Sequence, residues 1–475
     1  MKKIFVSLSL IALLTPAVWG QKYKMTFVVP KAGPKDTMMY IGQHYRDEFV
    51  ILDSTRAAEG DTYVFSGRRK WEKGIYALIG QDRKKGLMDF TIDGSQVFTF
   101  NLTPGVEVAN PQKDIVGSAA NQAMYTYINR INQARKQVRD IEQRKKSPDA
   151  KVKAEAEHDM NVLTKEMEAF EKPFITANNK YRFFQLAAMF NGPEVPDGVE
   201  DKALYYRTHY WDGVDFADHS LVYTPDLFNK MNYFFFNVLY YADYDTIARY
   251  ADRLLDGLEK DTLMMRYVLD YIMPRYYRST KKIGWDAVWC HLVRRYYLTG
   301  KCSWASASEV ANKRQSVEFL EQSLIGAMGK ELYMADTNQS PNPDEWISSH
   351  RFPQKYVILW FWDPDCHHCQ EQTATLKALY DSLSATGNKP FEVYAVGYEA
   401  DVTKWKKYVR EHQLPFVNVG GPNVNIDYQV AYNVHGAPTM IILDQDRRII
   451  MNKVLATKEI LPFLKRHEER LEARK

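Results

Sequence analysis

Cysteine is scarce in this chain: four in 475 residues, at Cys290, Cys302, Cys366 and Cys369. That excludes a small scaffold stapled by disulfides, in which cysteine is dense. Long apolar runs are equally rare. Beyond residues 4–14, no segment approaches the roughly 20 apolar residues of a membrane-spanning helix. An excess of one charge is missing too. The formal net charge is +4, and +2 without Lys2 and Lys3. This near-balance argues against nucleic acid or an acidic membrane surface as the main partner. There is no internal repeat and no low-complexity stretch. Aromatic residues are what abounds, with 31 Tyr and 10 Trp, most of them in the middle of the chain. A hydrophobic content of 45% provides for large cores, and the length suggests about three domains.

Residues 1–20 read as a secretory signal. Lys2 and Lys3 form the basic start, residues 4–14 the apolar stretch, and Ala17-Val18-Trp19-Gly20 a small-residue cleavage zone. An uncleaved anchor is the competing reading, and the apolar stretch is short for one. No cysteine lies near the cleavage zone, which argues against a lipid anchor. The expected mature protein is soluble and extracytoplasmic, with a periplasm as the natural compartment.

Residues 21–115 read as a β-sandwich-like domain. Short alternating or apolar runs recur at 23–29, 38–42, 48–52, 62–66, 75–80, 88–92 and 97–102. Turn signals separate them: Lys31-Ala32-Gly33-Pro34, Glu59-Gly60-Asp61 and Asp93-Gly94. Residues 116–330 read as an aromatic-rich, all-α domain. Met124, Ile128, Ile131, Val138 and Ile141 follow helical spacing, Ser147-Pro148-Asp149 breaks it, and Val152 to Phe170 resume it, as in a helical hairpin. The rings that crowd residues 205–277 fit a helical core better than a ligand groove. His209, Asp212, Asp215, Asp218 and His219 imitate a metal cluster, but their spacing suits a polar loop bearing helix caps. Residues 285–299 look helical with Gly300 as the stop. That leaves Cys290 and Cys302 as two buried thiols or, with difficulty, a bridge.

Residues 331–475 change character. A polar linker at 338–343 precedes alternating β and α runs: strand 356–362, helix 369–383, strand 391–396, helix 402–411, strand 416–419, a short helix near 428–432, strands 439–443 and 448–453, and a helix from 457. This order predicts a mixed sheet covered by helices on both faces. The first strand runs into Trp362-Asp363-Pro364-Asp365-Cys366-His367-His368-Cys369. A thiol at a helix N-terminus meets unpaired N–H groups and the positive end of the helix dipole. Both favour thiolate, the reactive form. A second thiol at i+3 lies on the same face and can resolve a mixed disulfide formed by the first.

The run Val357 to Trp362, the Cys366-His367-His368-Cys369 motif, and His435-Gly436-Ala437-Pro438-Thr439 together resemble a thioredoxin-like domain. The extra helix and strand between residues 399 and 421 resemble the TlpA/ResA-type branch of exported thiol-disulfide oxidoreductases. The resemblance covers about residues 329–475. More weakly, the preceding β and helical regions resemble uncharacterised domains of multi-domain envelope proteins. The resemblance implies that Cys366 is the attacking thiolate and Cys369 the resolving thiol. It implies a cis Pro438 in the substrate groove with Ala437 and Thr439, the Ala437 backbone pairing with an extended substrate segment. It implies no cofactor and no metal. The implied partners are envelope protein thiols or disulfides and a redox partner protein, membrane-bound or otherwise.

The departures from the family concern tuning. Asp365 stands where Trp is usual, and a carboxylate beside a thiolate raises its pKa unless it is turned away as a helix cap. Trp360 stands where a buried acid is frequent, so the proton of Cys369 needs another group; Glu371, Glu392 and Glu399 are the candidates. His367 and His368 occupy the tuning dipeptide, where a protonated imidazole favours thiolate. Asp365 and His368 pull in opposite directions, and the redox direction, reductase or oxidase, stays open. Two other functions compete. One is copper or zinc binding by Cys366, His367, His368 and Cys369 with His435. The other is a non-enzymatic envelope binding protein whose disulfide is structural or vestigial.

Overall fold

The computed structural model describes residues 23–30, 37–58, 61–103, 107–277, 284–398 and 401–472. The expected signal at residues 1–20, the turn at 31–34 and Glu399 lie outside them. The chain divides into two compact units, one ending at Tyr240 and the other beginning at Tyr241. The division falls inside the helical region, so each unit carries part of it.

In the first unit, strands β1 (Tyr23–Val28), β2 (Met38–Tyr45), β3 (Glu48–Arg56), β4 (Thr62–Gly67), β5 (Gly74–Ile79), β6 (Gly86–Ile92), β7 (Val97–Asn101) and β8 (Ile115–Val116) form two sheets. Their orders are β4-β1-β7-β8 and β3-β2-β5-β6. Alternate side chains of β1 (Tyr23, Met25 and Phe27) point into the shared core, where Phe27 stacks on Phe100 at 5.4 Å. Helices α1 (Pro111–Asp114) and α2 (Ala119–Arg144) follow. Asn121 of α2 is fully buried and covers the edge of β6: its Oδ1 accepts the Thr91 N–H at 2.7 Å, and its amide donates to the Thr91 carbonyl at 2.8 Å. An edge strand left open would expose unpaired groups.

The expected helical hairpin is α2 against α3 (Ala150–Asn178), joined on Ala134, Ile141, Ala156 and Leu163. Asp149 caps α3 by accepting from Lys151 N. Helices α4 (Arg182–Phe190), α5 (Lys202–His209) and α6 (Pro225–Tyr233) complete the unit. Rings fill this core, with Tyr210 stacked on Phe234 at 4.7 Å. The acidic loop does carry caps and pairs: Asp218 caps the turn at Ser220 and pairs with Arg182, and His209 pairs with Asp212 at 2.6 Å.

The second unit begins with α7 (Tyr244–Asp256), α8 (Thr262–Tyr276), α9 (Trp285–Leu292) and α10 (Ala307–Leu320). A wide turn, Val293–Tyr297, extends α9, and Gly300 at φ +80° ends it, because only the left-handed region lets the chain leave there. Cys290 and Cys302 are buried free thiols, not a bridge. Burial pushes both up to about 12.

The remainder is a seven-stranded sheet, β10-β9-β13-β12-β11-β14-β15. Its strands are β9 (Tyr333–Asp336), β10 (Ile347–Ser348), β11 (Tyr356–Trp362), β12 (Phe391–Gly397), β13 (Val417–Val424), β14 (Thr439–Leu443) and β15 (Ile449–Met451). β11 is central, parallel to β12 and antiparallel to β14. Every residue of β11 is buried, because both faces are covered. Ile358, Trp360 and Trp362 face a core closed by α11 (His367–Ala385), α12 (Val402–Glu411) and α14 (Thr457–Glu472). Val357, Leu359 and Phe361 face a second core under α13 (Tyr428–Ala431).

The polar linker expected at residues 338–343 lies in the hairpin that joins β9 to β10. Gln339 Nε2 donates to the Gly420 carbonyl at 2.8 Å, and Trp346 Nε1 to the Ser340 carbonyl at 2.9 Å, which ties that hairpin down.

Candidate active site

The apolar run of β11 ends at Trp362, and the next residues turn sharply. Asp363 Oδ1 accepts the Asp365 N–H at 2.8 Å, the Asp363 carbonyl accepts the Cys366 N–H at 3.2 Å, and Gln370 Nε2 donates to the Pro364 carbonyl at 2.7 Å. These bonds present Cys366 as the N-cap of α11, so the helix starts at His367, two residues before the expected Cys369. The Cys369 N–H donates to Cys366 Sγ at 3.3 Å. The first sulfur thus receives one of the helix's unpaired amides.

The register of β14 brings in the other half of the site. Thr439 lies opposite Phe361, so the residues before it lie beside the end of β11. The Ala437–Pro438 peptide is cis, and Thr439 Oγ1 donates to the Gly436 carbonyl at 2.7 Å, closing the loop. Cys366 Sγ lies 3.8 Å from the Ala437 carbonyl oxygen. Cys366, Ala437 and the cis Pro438 therefore meet at one surface.

The two thiols are unlike. Cys366 is half-buried and Cys369 fully buried. Burial first, then the hydrogen bond that its S–H donates to Cys366, pushes the Cys369 thiol up to about 12. At neutral pH Cys369 holds its proton, and the accessible sulfur is Cys366. Iodoacetamide at pH 7 should label Cys366 alone in the native protein, with Cys290, Cys302 and Cys369 labelled only after unfolding. Peptide mass mapping checks this, and equal labelling of Cys369 would contradict the asymmetry.

The residues around the dithiol are not placed as the sequence suggested. Asp365 is no helix cap, since Cys366 has that place. Its carboxylate is engaged by Lys404 of α12 at 2.7 Å. His367 and His368 both turn to Glu371, at 3.3 and 3.6 Å. All three are largely exposed, so these pairs contribute only about 0–1 kcal/mol each. Trp360 replaces the frequent buried acid by a neutral contact, its indole N–H donating to Thr373 Oγ1 at 2.9 Å. Glu392 is buried, but it pairs in register with Val357 while Gly397 pairs with Trp362. At about 3.3 Å per residue, it lies some 16 Å along the strand from the dithiol end. Tyr380, Lys389 and the Val393 N–H already satisfy it. Its candidacy for the Cys369 proton fails on distance. His435 bonds to Asn433 at 2.6 Å and packs beside Phe319 of α10. Among the described residues, no group of three or more His, Cys, Asp or Glu is arranged to hold a metal ion. Sequence reasoning missed Lys404, which stands 39 positions from Asp365 with no local signal.

Comparison with known proteins agrees with this geometry. A family model described as thioredoxin-like matches residues 354–449, and a domain of unknown function, DUF5106, matches residues 132–323. The chain therefore carries a C-terminal thioredoxin-like domain preceded by a DUF5106 domain. Among solved structures, it is similar to a thioredoxin-like protein from Bacteroides caccae: 18% identity, TM-score 0.46, covering 58% of this chain and 98% of that one. A domain of a possible thiol-disulfide isomerase from Cytophaga hutchinsonii is 28% identical, TM-score 0.28, covering 32% of this chain and 97% of that one. The thioredoxin domain of a thiol-disulfide oxidoreductase from Bacteroides vulgatus is 21% identical, TM-score 0.25, covering 30% and 96%. No curated protein matches the chain.

Proposed function

We propose that this protein is an exported thiol-disulfide oxidoreductase that exchanges disulfides with envelope proteins through Cys366 and Cys369. One observation carries the reading: a half-exposed sulfur caps a helix beside the Ala437 carbonyl, with a second, buried sulfur one turn below. In the reducing direction, the Cys366 thiolate attacks a substrate disulfide, forms a mixed disulfide and expels one substrate thiolate. Cys369 then attacks Cys366, the S–S bond to substrate breaks, and the second substrate thiol leaves. The dithiol is oxidised as the substrate is reduced, and an oxidase runs the same steps backwards. A thiol- or disulfide-bearing redox partner returns the pair to its starting state. The Ala437 backbone is suited to pair with an extended substrate segment. The export part of the reading rests on the signal-like residues 1–20. Insulin reduction coupled to glutathione tests the activity. Wild type should turn over and Cys366→Ser should not; equal rates would favour a binding protein with an idle dithiol.

A further inference from the structure

The surface that carries Cys366, Ala437 and Pro438 does not end with the thioredoxin-like strands. His435 stands two residues before Ala437, so at most about 7 Å of chain separates them. Its imidazole lies 5.8 Å from the ring of Phe319, at 43°. Phe319 belongs to α10, inside the DUF5106 match and outside the thioredoxin-like one. An aromatic ring from the preceding domain therefore borders the loop that leads into Pro438.

Several contacts hold α10 there. Val317 and Leu320 are buried on its inner side. Glu321, just past its end, pairs with Arg294 of the turn that extends α9. The Ser323 carbonyl accepts from Asn452 Nδ2 at 3.0 Å, just beyond β15. Ile449 of β15 accepts from the Gly326 N–H at 2.7 Å and donates to the Ala327 carbonyl at 2.9 Å. The end of α10 is thus tied to the same sheet that carries the Pro438 loop.

The surroundings of Phe319 suit an apolar ligand. Phe319 is half-buried and His435 exposed. One turn away on either side stand Gln315, Ser316, Gln322 and Ser323, all uncharged, while the charged residues of α10 occupy other positions. A ring within an uncharged polar rim has the composition of a recognition patch more than of a solvated helix face.

We propose that Phe319, together with His435, selects protein substrates that carry an aromatic or large apolar side chain two positions from the reactive cysteine. This rests on the exchange reading above. A substrate sulfur held at Cys366 is carried by a segment that passes Ala437. Two extended residues span about 7 Å, the same reach that separates Ala437 from His435. The residue two positions before or after the cysteine, according to the direction of the segment, then meets the two rings. A third ring packs there edge-on or offset.

Two nine-residue peptides test this, each with a central cysteine in a disulfide with glutathione. One has phenylalanine two positions to either side of the cysteine, the other serine. The reduced full-length protein is mixed with each, quenched in acid and followed by intact mass. Oxidised glutathione is the third probe, since its cysteine has one residue on either side and does not reach the rings. Wild type should reduce the phenylalanine peptide about tenfold faster than the serine peptide, the contribution of one aromatic contact. Phe319→Ala should abolish that preference, and Phe319→Leu should keep part of it. A wild type that reduces glutathione without preferring either peptide would overturn the assignment. So would Phe319→Ala that slows all three probes equally and keeps the preference, which marks a structural role. A wild type that reduces none of the three would overturn the exchange reading itself, and this assignment with it.

Discussion

Cys369→Ser should accumulate mixed disulfides, and Cys366→Ser should accumulate none. The reason is the asymmetry of the pair. Only Cys366 combines exposure with a helix-end amide on its sulfur. A partner disulfide therefore meets Cys366 first. On the proposed exchange reading, the adjacent Cys369 of the wild type resolves the adduct intramolecularly. Well-placed intramolecular groups act at effective concentrations of about 10⁵ M or more, far above any free thiol in a cell. Replacing Cys369 by serine removes that route and leaves only slow bimolecular release. Adduct lifetimes should rise at least ~10³-fold. Cells expressing each variant, quenched in acid and run on non-reducing gels, should show reducible high-mass bands for Cys369→Ser only. Bands of equal strength for both variants would place the nucleophile elsewhere, and the partners trapped would name the substrates.

Arg447→Ala should destabilise the thioredoxin-like domain by about 3–5 kcal/mol, a large effect for a residue on a surface turn. Arg447 lies in the connection between β14 and β15, yet its guanidinium reaches the segment that leads into β11. It donates to the carbonyls of His350 at 3.1 Å, Phe352 at 2.7 Å and Gln354 at 3.5 Å, and to its own turn at Asp444 at 3.2 Å. The 3.5 Å contact is marginal and the others are sound. These carbonyls belong to a loop with no ladder of its own. Losing the charged donor leaves them short of partners, and each charge-assisted bond contributes about 1.5–3 kcal/mol. Urea unfolding followed by tryptophan fluorescence measures the change. Lysine cannot restore it, since an ammonium lacks the planar fork that spans several carbonyls. A loss under 1 kcal/mol would mean that the loop is held by other contacts.

Local patterning made some of this fold legible and not the rest. The run Tyr356–Trp362 reads as a strand covered on both sides because every residue in it is apolar. Ser147-Pro148-Asp149 reads as a break because proline and a capping aspartate both end helices there. The dithiol and Pro438 are legible as motifs. By contrast, β9 and β10 escape notice because the hairpin between them is polar. It is held by Gln339 and Trp346 bonding to backbone, a pattern that reads as a linker. The Asp365–Lys404 pair depends on where α12 packs, which no spacing encodes. The unit boundary after Tyr240 falls inside a helical stretch, where packing and not composition marks the change.

Equilibration of the purified protein with glutathione buffers of graded redox poise, followed by alkylation and intact mass measurement, tests the central claim most directly. A cooperative two-electron transition is predicted, in which Cys366 and Cys369 lose their alkylation together and regain it on reduction, while Cys290 and Cys302 stay unchanged. A protein that keeps four free thiols across the whole range, or that oxidises irreversibly, would contradict it.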